Sequence, residues 1–283
     1  MRDTVQLTVQ RDVPARMRDG TVLYADVYRP AAAGRYPVIL LRTPYNKSFG
    51  RLAYLQLDPM RAASRGYALI IQDTRGRFNS EGDFYCFRDE GQDGYDTVEW
   101  AAQQPWSDGT VGMYGASYMG ATQWLAASAR PPHLKCIVPL ITASDYHEGW
   151  TYQGGAFELG FNLSWTLTNL VLANFAHFKT PAPTRERLRQ ELIRAVDGMC
   201  EPFTSLPLKD FPLLTQDDLA PYYNDWLAHP DDDAYWRQWN IEDRHSQITV
   251  PALNVGGWYD IFLGGTLRNY LGMRQHGGSA PAR

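Results

Sequence analysis

The sequence has no cluster of Lys and Arg, no C-x-x-C pair and no apolar run long enough to cross a bilayer. A net charge of −4 without a basic block gives nucleic acid and anionic membrane surfaces no electrostatic footing. A membrane span takes about 20 consecutive apolar residues, and the opening MRDTVQLTVQRD lacks the apolar core of a secretory signal. These absences predict a soluble, cytoplasmic chain with neither nucleic-acid nor membrane partners. Cys86, Cys136 and Cys200 are odd in number and widely spaced, so neither a disulfide framework nor a zinc site is expected. Buried free thiols are the simpler reading. There is no internal repeat and no low-complexity segment.

What is present is a pattern of short apolar runs. LTVQRDVPARMRDGTVLYADVYRP reads as a hairpin with Asp19-Gly20 as its turn. YPVILLRTPY, GYALIIQDTRG, GTVGMYGAS and LKCIVPLITAS are apolar throughout and separated by helix-like segments such as DEGQDGYDTVEWAAQQ. Continuous apolar strands of this kind belong to a parallel sheet covered on both faces, whose carboxyl ends line the ligand-binding edge. Past Ser144 the character changes to Trp- and Tyr-rich, helix-like sequence, with TRERLRQELIRAVDGM and the Pro-broken TPAPT. ITVPALNVGGWYD then returns to the first pattern as a further buried strand. The expected organisation is an α/β core in two parts, 1–144 and 248–283, interrupted by a helical cap over 145–247 that sits above the functional edge.

VGMYGASYMGATQWLAA supplies a strand, a turn of small residues and a helix, the context of a nucleophile elbow. The turn is sharp, so side chains at Gly115 and Gly120 would collide with their neighbours, and Ser117 would stand at the strand's carboxyl end. The pattern departs from G-x-S-x-G: Met119 holds the second glycine's place and Gly120 follows. The competing local reading makes Ser117 a helix cap.

GASYMG, LLRTPYNK, IIQDTRGRFNSEGDF and VGGWYD, with AHPDDDAYWRQWNIED before the last strand, together resemble the cocaine esterase and X-Pro dipeptidyl-peptidase (peptidase S15) family of α/β-hydrolases over essentially the whole chain. The resemblance implies Ser117 as nucleophile, Asp260 as the acid of a triad, and Tyr45 with the backbone N–H of Tyr118 as oxyanion donors. It implies ester or amide substrates, X-Pro peptides and α-amino acid esters among them, with no metal or organic cofactor. Local sequence alone would make Tyr45 an aromatic packing after Pro44 and Asp260 an N-cap for IFLGGTLRNYLGM. Asp73 and Arg75 read as a structural ion pair or turn. Asp145 and Glu148 could hold a substrate amino group, as acidic residues do in related amino acid ester hydrolases, but their spacing is that of a capping box. Trp150, Tyr152, Phe157 and Trp165 read as an acyl pocket or, more simply, as core.

The serine needs a base. In α/β-hydrolases the chain order is Ser, acid, His, which leaves only His276 after Asp260. A helix over LGGTLRNYLGMRQ would carry it roughly 15–20 Å from the strand end. His133, His147, His177, His229 and His245 all precede the acid. The expectation is therefore the first part of a longer enzyme, lacking the last strand, the histidine and the family's C-terminal β-sandwich. Such a chain would be marginally stable, partnered by the missing C-terminal segment or by a second copy. The alternative is a truncated, non-catalytic chain that binds small ligands or a partner chain.

Overall fold

The computed structural model describes residues 5–48, 57–178, 181–215 and 219–283, so the first residues of the opening segment and Thr180 of TPAPT lie outside it. The chain forms two compact units, Met1–Asp145 with Trp239–Arg283, and Tyr146–Gln238.

In the first unit the predicted hairpin is present as β1 (Leu7–Arg16) and β2 (Val22–Pro30), paired antiparallel around Gly20 at φ 90°, a backbone region open to glycine. β3 (Tyr36–Thr43), α1 (Pro59–Ser64), β4 (Ala68–Asp73), α2 (Glu90–Ala102), β5 (Ser107–Ala116), α3 (Tyr118–Ser128) and β6 (Leu134–Leu140) follow. The sheet runs β1-β2-β4-β3-β5-β6, parallel from β4 to β6. β2 runs antiparallel to β4 and so extends the sheet on that side. Every residue of β4 is buried, because a central strand with both faces covered has no solvent side. Every residue of α3 is buried as well. α2 approaches α3 so closely that a Cβ on Gly94 would lie 2.6 Å from Ala126 Cβ.

The segment after the insertion departs from expectation. Residues 252–255 do extend the sheet in parallel beyond β6: Ile137 N donates to Pro251 O, Leu253 N to Ile137 O and Val255 N to Pro139 O, at 3.0–3.1 Å. The strand is not buried, however, for Leu253 is 64% exposed and Val255 is exposed too. Among the described residues it has a neighbour on one side only, and apolar sequence alone does not supply a second. α9 (Leu263–His276) follows, packed through Gly265, where a Cβ would lie 2.6 Å from Ala143 Cα.

The second unit begins with a small hairpin, Tyr152–Gln153 against Ala156–Phe157. Its helices are α4 (Leu159–Trp165), α5 (Ala182–Asp197), α6 (Cys200–Thr204), α7 (Pro221–Ala228) and α8 (Ala234–Arg237). Its interior is aromatic: Trp165 stacks on Phe161 at 5.5 Å and on Trp226 at 6.2 Å, and Trp150 meets Trp165 edge-on. No described helix is long and apolar enough to cross a membrane. All three cysteines are free, but only Cys86 is buried, whereas Cys136 and Cys200 are exposed. Cys136 lies on a face of β6 that no described element covers completely, which a spacing argument could not foresee.

Candidate active site

The parallel register sets the carboxyl ends of β3, β4 and β5 side by side, with Thr43 opposite Asp73 and Ala116 opposite Leu140. Ser117 is the next residue after β5, Tyr45 lies two past β3, and Asp260 follows the strand beside β6. All three candidate side chains thus come from one edge of one sheet.

Ser117 adopts φ 60° and ψ −126°, a strained conformation for a residue with a Cβ. The surroundings over-determine it. Its N–H donates to Leu140 O at 2.9 Å, and its carbonyl accepts from Gly120 N at 2.8 Å and Ala121 N at 3.1 Å. The turn tolerates no bulk, since a Cβ on Gly115 would sit 2.6 Å from Met119 Cβ and one on Gly120 would sit 2.8 Å from Thr142 Cβ. The Ser117 side chain makes no capping hydrogen bond to α3 and is only half-buried, so the helix-cap reading does not hold.

Tyr118, the first residue of α3, is anchored through its ring. Its buried hydroxyl accepts from Phe87 N at 2.9 Å and donates to Glu90 Oε1 at 3.2 Å, while the ring stacks on Phe87 at 5.3 Å. Burial pushes the phenol's pKa far up and also raises that of Glu90, which the Arg42 guanidinium partly offsets. Arg42 is fully buried in β3, 2.7 Å from Glu90 Oε2 and 2.9 Å from Gln72 Oε1. β3, β4, α2 and α3 are thereby tied together at the root of the elbow.

Tyr45 packs half-buried against the cluster that holds Leu41, Ile71 and Met119, and its N–H donates to Thr43 Oγ1 at 3.0 Å. The chain is fastened on both sides of it. Arg77 Nε donates to Pro44 O at 2.7 Å, and Lys47 N donates to Asp73 Oδ1 at 2.6 Å. Lys47, itself buried, places Nζ 3.3 Å from Asp73 Oδ2 and 2.7 Å from Asp12 Oδ1. Burial pushes the Asp73 carboxyl up to about 6, against the pull of Lys47. The expected Asp73–Arg75 pair is not formed: Arg75 reaches Asp93 at 2.6 Å and Asp19 at 2.7 Å instead. Sequence reasoning missed Lys47 and Arg77 as anchors, because their partners lie 26 and 33 residues away.

Asp260 is differently placed. α9 starts at Leu263 with Phe262 at its cap position, so Asp260 is not its N-cap. Burial raises the carboxyl's pKa, opposed by the Phe262 N–H. Its Oδ2 is buried and accepts no hydrogen bond from any described residue. Beside it a cavity of about 280 Å³ is lined by Asn254, Gly256, Trp258, Leu263 and Tyr270.

Neither Ser117 nor Asp260 hydrogen-bonds a histidine among the described residues. His133 sits at the opposite edge of the sheet with Glu99, 2.7 Å away. His245 meets Asn269 Oδ1 at 3.0 Å, His147 meets Pro230 O at 2.9 Å, and His229 meets Asp233 at 2.7 Å. His177 ends a short 3₁₀ helix, and His276 is the exposed last residue of α9.

No helix begins at Asp145, which corrects the capping-box reading. Asp145 instead accepts from Asn240 Nδ2 at 3.0 Å, and Glu148 accepts from Gly154 N at 3.2 Å across a turn that contains Gly149 at φ 94°. Trp150, Tyr152 and Trp165 are buried in the aromatic interior of the second unit, with Phe157 against Tyr152 and Tyr223. The core reading holds for Trp150, Tyr152 and Trp165, whereas Phe157 is half-buried.

Residues 19–281 match the family model for the X-Pro dipeptidyl-peptidase (S15 family). The chain is 36% identical over 274 residues to a cocaine esterase from Rhodococcus, an alignment covering 95% of this chain and 47% of that protein. Among solved structures, a CocE/NonD family hydrolase from Staphylococcus aureus superposes with a TM-score of 0.71 at 25% identity, over 97% of this chain and 45% of that one. An α-amino acid ester hydrolase shares the fold at TM-score 0.68 and 24% identity, over 97% and 46% respectively. The chain spans a little under half the length of each of these relatives.

Proposed function

The chain belongs to the X-Pro dipeptidyl-peptidase (S15) family, and from that premise we propose that it carries the nucleophile, oxyanion and acid limbs of a serine hydrolase acting on carboxylic esters through an acyl-enzyme. The observation that carries this reading is the strained Ser117 backbone, held between β5 and α3 with its side chain uncommitted to the helix. Ser117 Oγ attacks the carbonyl carbon as an imidazole takes its proton. Negative charge then collects on the carbonyl oxygen, where the Tyr45 hydroxyl and the Tyr118 backbone N–H donate to it. One such donor in a water-excluded site contributes roughly 10²–10³ in rate. Collapse expels the alcohol, which takes the proton back from the imidazolium. Water then attacks the acyl carbon, with the imidazole as base again, and frees Ser117.

Asp260 orients the imidazole by accepting its other N–H and stabilises the imidazolium. A buried carboxylate oxygen with no donor in the described chain supports that role, because such an atom is costly to leave unmatched. We place the imidazole on a further segment of the family's longer architecture, one that adds to the open edge of residues 252–255. The 36% identity to a cocaine esterase supports an ester over a peptide as substrate.

The test is treatment of the folded chain with a fluorophosphonate, imidazole being supplied in solution, followed by peptide mapping. The adduct is expected on Ser117 and absent from Ser117→Ala. An adduct elsewhere, or none on a folded sample, overturns the assignment.

A further inference from the structure

Tyr45 is the donor in this site that comes from a loop rather than from the first turn of a buried helix, so something must fix it. A hydrogen-bond donor helps a transition state only when it is already aimed, since a mobile one spends the gain on being ordered. Within the loop, Asn46 sits at φ 77°, unfavourable for most side chains, and its Oδ1 accepts from Ser48 N at 2.9 Å. The chain is attached on both sides of Tyr45. Upstream, Arg77 holds the Pro44 carbonyl, and Thr74 N also donates to Thr43 O at 3.0 Å. Downstream, Lys47 is gripped twice by the same carboxylate, through its backbone N–H at 2.6 Å and its ammonium at 3.3 Å. Asp73 is the last residue of β4 and its own carbonyl accepts from Ser80 Oγ at 2.7 Å, so the carboxylate stands on the rigid centre of the sheet. Lys47 then continues outward to Asp12, whose Oδ1 also accepts from Asn79 Nδ2 at 2.6 Å.

We propose that the buried Lys47–Asp73 pair is a positioning clamp that sets the Tyr45 loop for oxyanion binding, coupling the end of β4 to the end of β3. The inference rests on the reading of Tyr45 as an oxyanion donor. A buried ion pair is a weak source of net stability, because desolvation cancels most of its attraction. Its value here is geometric. One carboxylate accepts the Lys47 backbone N–H on one oxygen and faces the ammonium of the same residue as an ion pair with the other, which ties the loop to the end of β4. Lys47 and Asp73 act on Tyr45 through the backbone and do not touch the reacting atoms.

The experiment compares rates of fluorophosphonate labelling at Ser117, with imidazole supplied, for wild type, Tyr45→Phe, Lys47→Met and the double variant, alongside amide hydrogen exchange of residues 43–47. The phosphoryl oxygen of the reagent stands in for the oxyanion. Tyr45→Phe is expected to slow labelling about 100-fold. Lys47→Met should slow it about tenfold or more and speed exchange at 45–47 while β5 amides keep their protection. In the Tyr45→Phe background, Lys47→Met should change the rate less than about twofold, because a clamp has nothing left to aim. Asp12→Ala removes only the outer, solvent-facing partner of Lys47 and serves as a milder variant should Lys47→Met not fold; a smaller slowing in the same direction is expected. Equal slowing by Lys47→Met in both backgrounds, or wild-type labelling by Lys47→Met and Asp12→Ala, overturns the clamp. Wild-type labelling by Tyr45→Phe overturns the oxyanion reading on which the clamp's purpose depends, whatever the exchange data show. Absence of labelling in the wild type would instead mark failure of the Ser117 assignment itself.

Discussion

Ser117 rises from a strand with neighbours on both sides, β3 and β6, and leads into a helix whose every residue is buried. Asp260 follows a strand bonded, among the described residues, to β6 alone, through a stretch in which Trp258 and Tyr259 are almost wholly exposed. The two limbs lie on one sheet edge, yet one rises from a strand paired on both sides and the other from a strand paired, among the described residues, on one. Position along the sheet explains the contrast. An interior strand receives its partners from sequence already folded around it, and an outermost strand receives half of its environment from whatever is added next. Strain such as that at Ser117 survives only where the surroundings over-determine it, and so it belongs to the enclosed limb.

If the enclosed limb is held by buried polar contacts, breaking them should be far more damaging than any change at the open limb. Arg42→Met, which strands Glu90 in the core, should cost about 3–5 kcal/mol in urea unfolding. Gly115→Ala forces a Cβ to within 2.6 Å of Met119 at φ 149° and should cost about 1–3 kcal/mol, with slower labelling of Ser117 in any protein that remains folded. Tyr118→Phe leaves the Phe87 N–H without its acceptor and should cost a similar or smaller amount, about 1–3 kcal/mol by thermal melting. Trp258→Ser combined with Tyr259→Ser should move stability by less than about 0.5 kcal/mol while lowering self-association in sedimentation, because these rings face solvent. A large loss from that last pair would dissolve the contrast between the limbs.

The parts of the molecule legible in sequence are those whose cause is local or periodic. Asp19-Gly20 marks the hairpin turn, unbroken apolar runs mark the parallel strands, and the small residues around Ser117 mark the elbow with its close contacts. What depends on neighbours distant in sequence was not legible. ITVPALNV reads as buried because it is apolar, but Leu253 and Val255 are exposed because, among the described residues, the strand is paired on one side only. Asp145 and Glu148 have the spacing of a capping box, but the glycine turn after them starts a hairpin rather than a helix. Lys47, a charged residue four places after the end of β3, gave no sign of being buried itself, since its carboxylate partner arrives with β4.

The most direct test of the account is the rate of fluorophosphonate labelling of Ser117 measured with and without added imidazole, repeated in Asp260→Asn. The nucleophile limb is complete and the base is supplied from outside the described chain on this account. Labelling should therefore be slow alone, rise with imidazole toward a plateau, and lose most of that rise in Asp260→Asn. Rapid stoichiometric labelling that ignores imidazole would contradict it, and would mean that a histidine of this chain already serves Ser117.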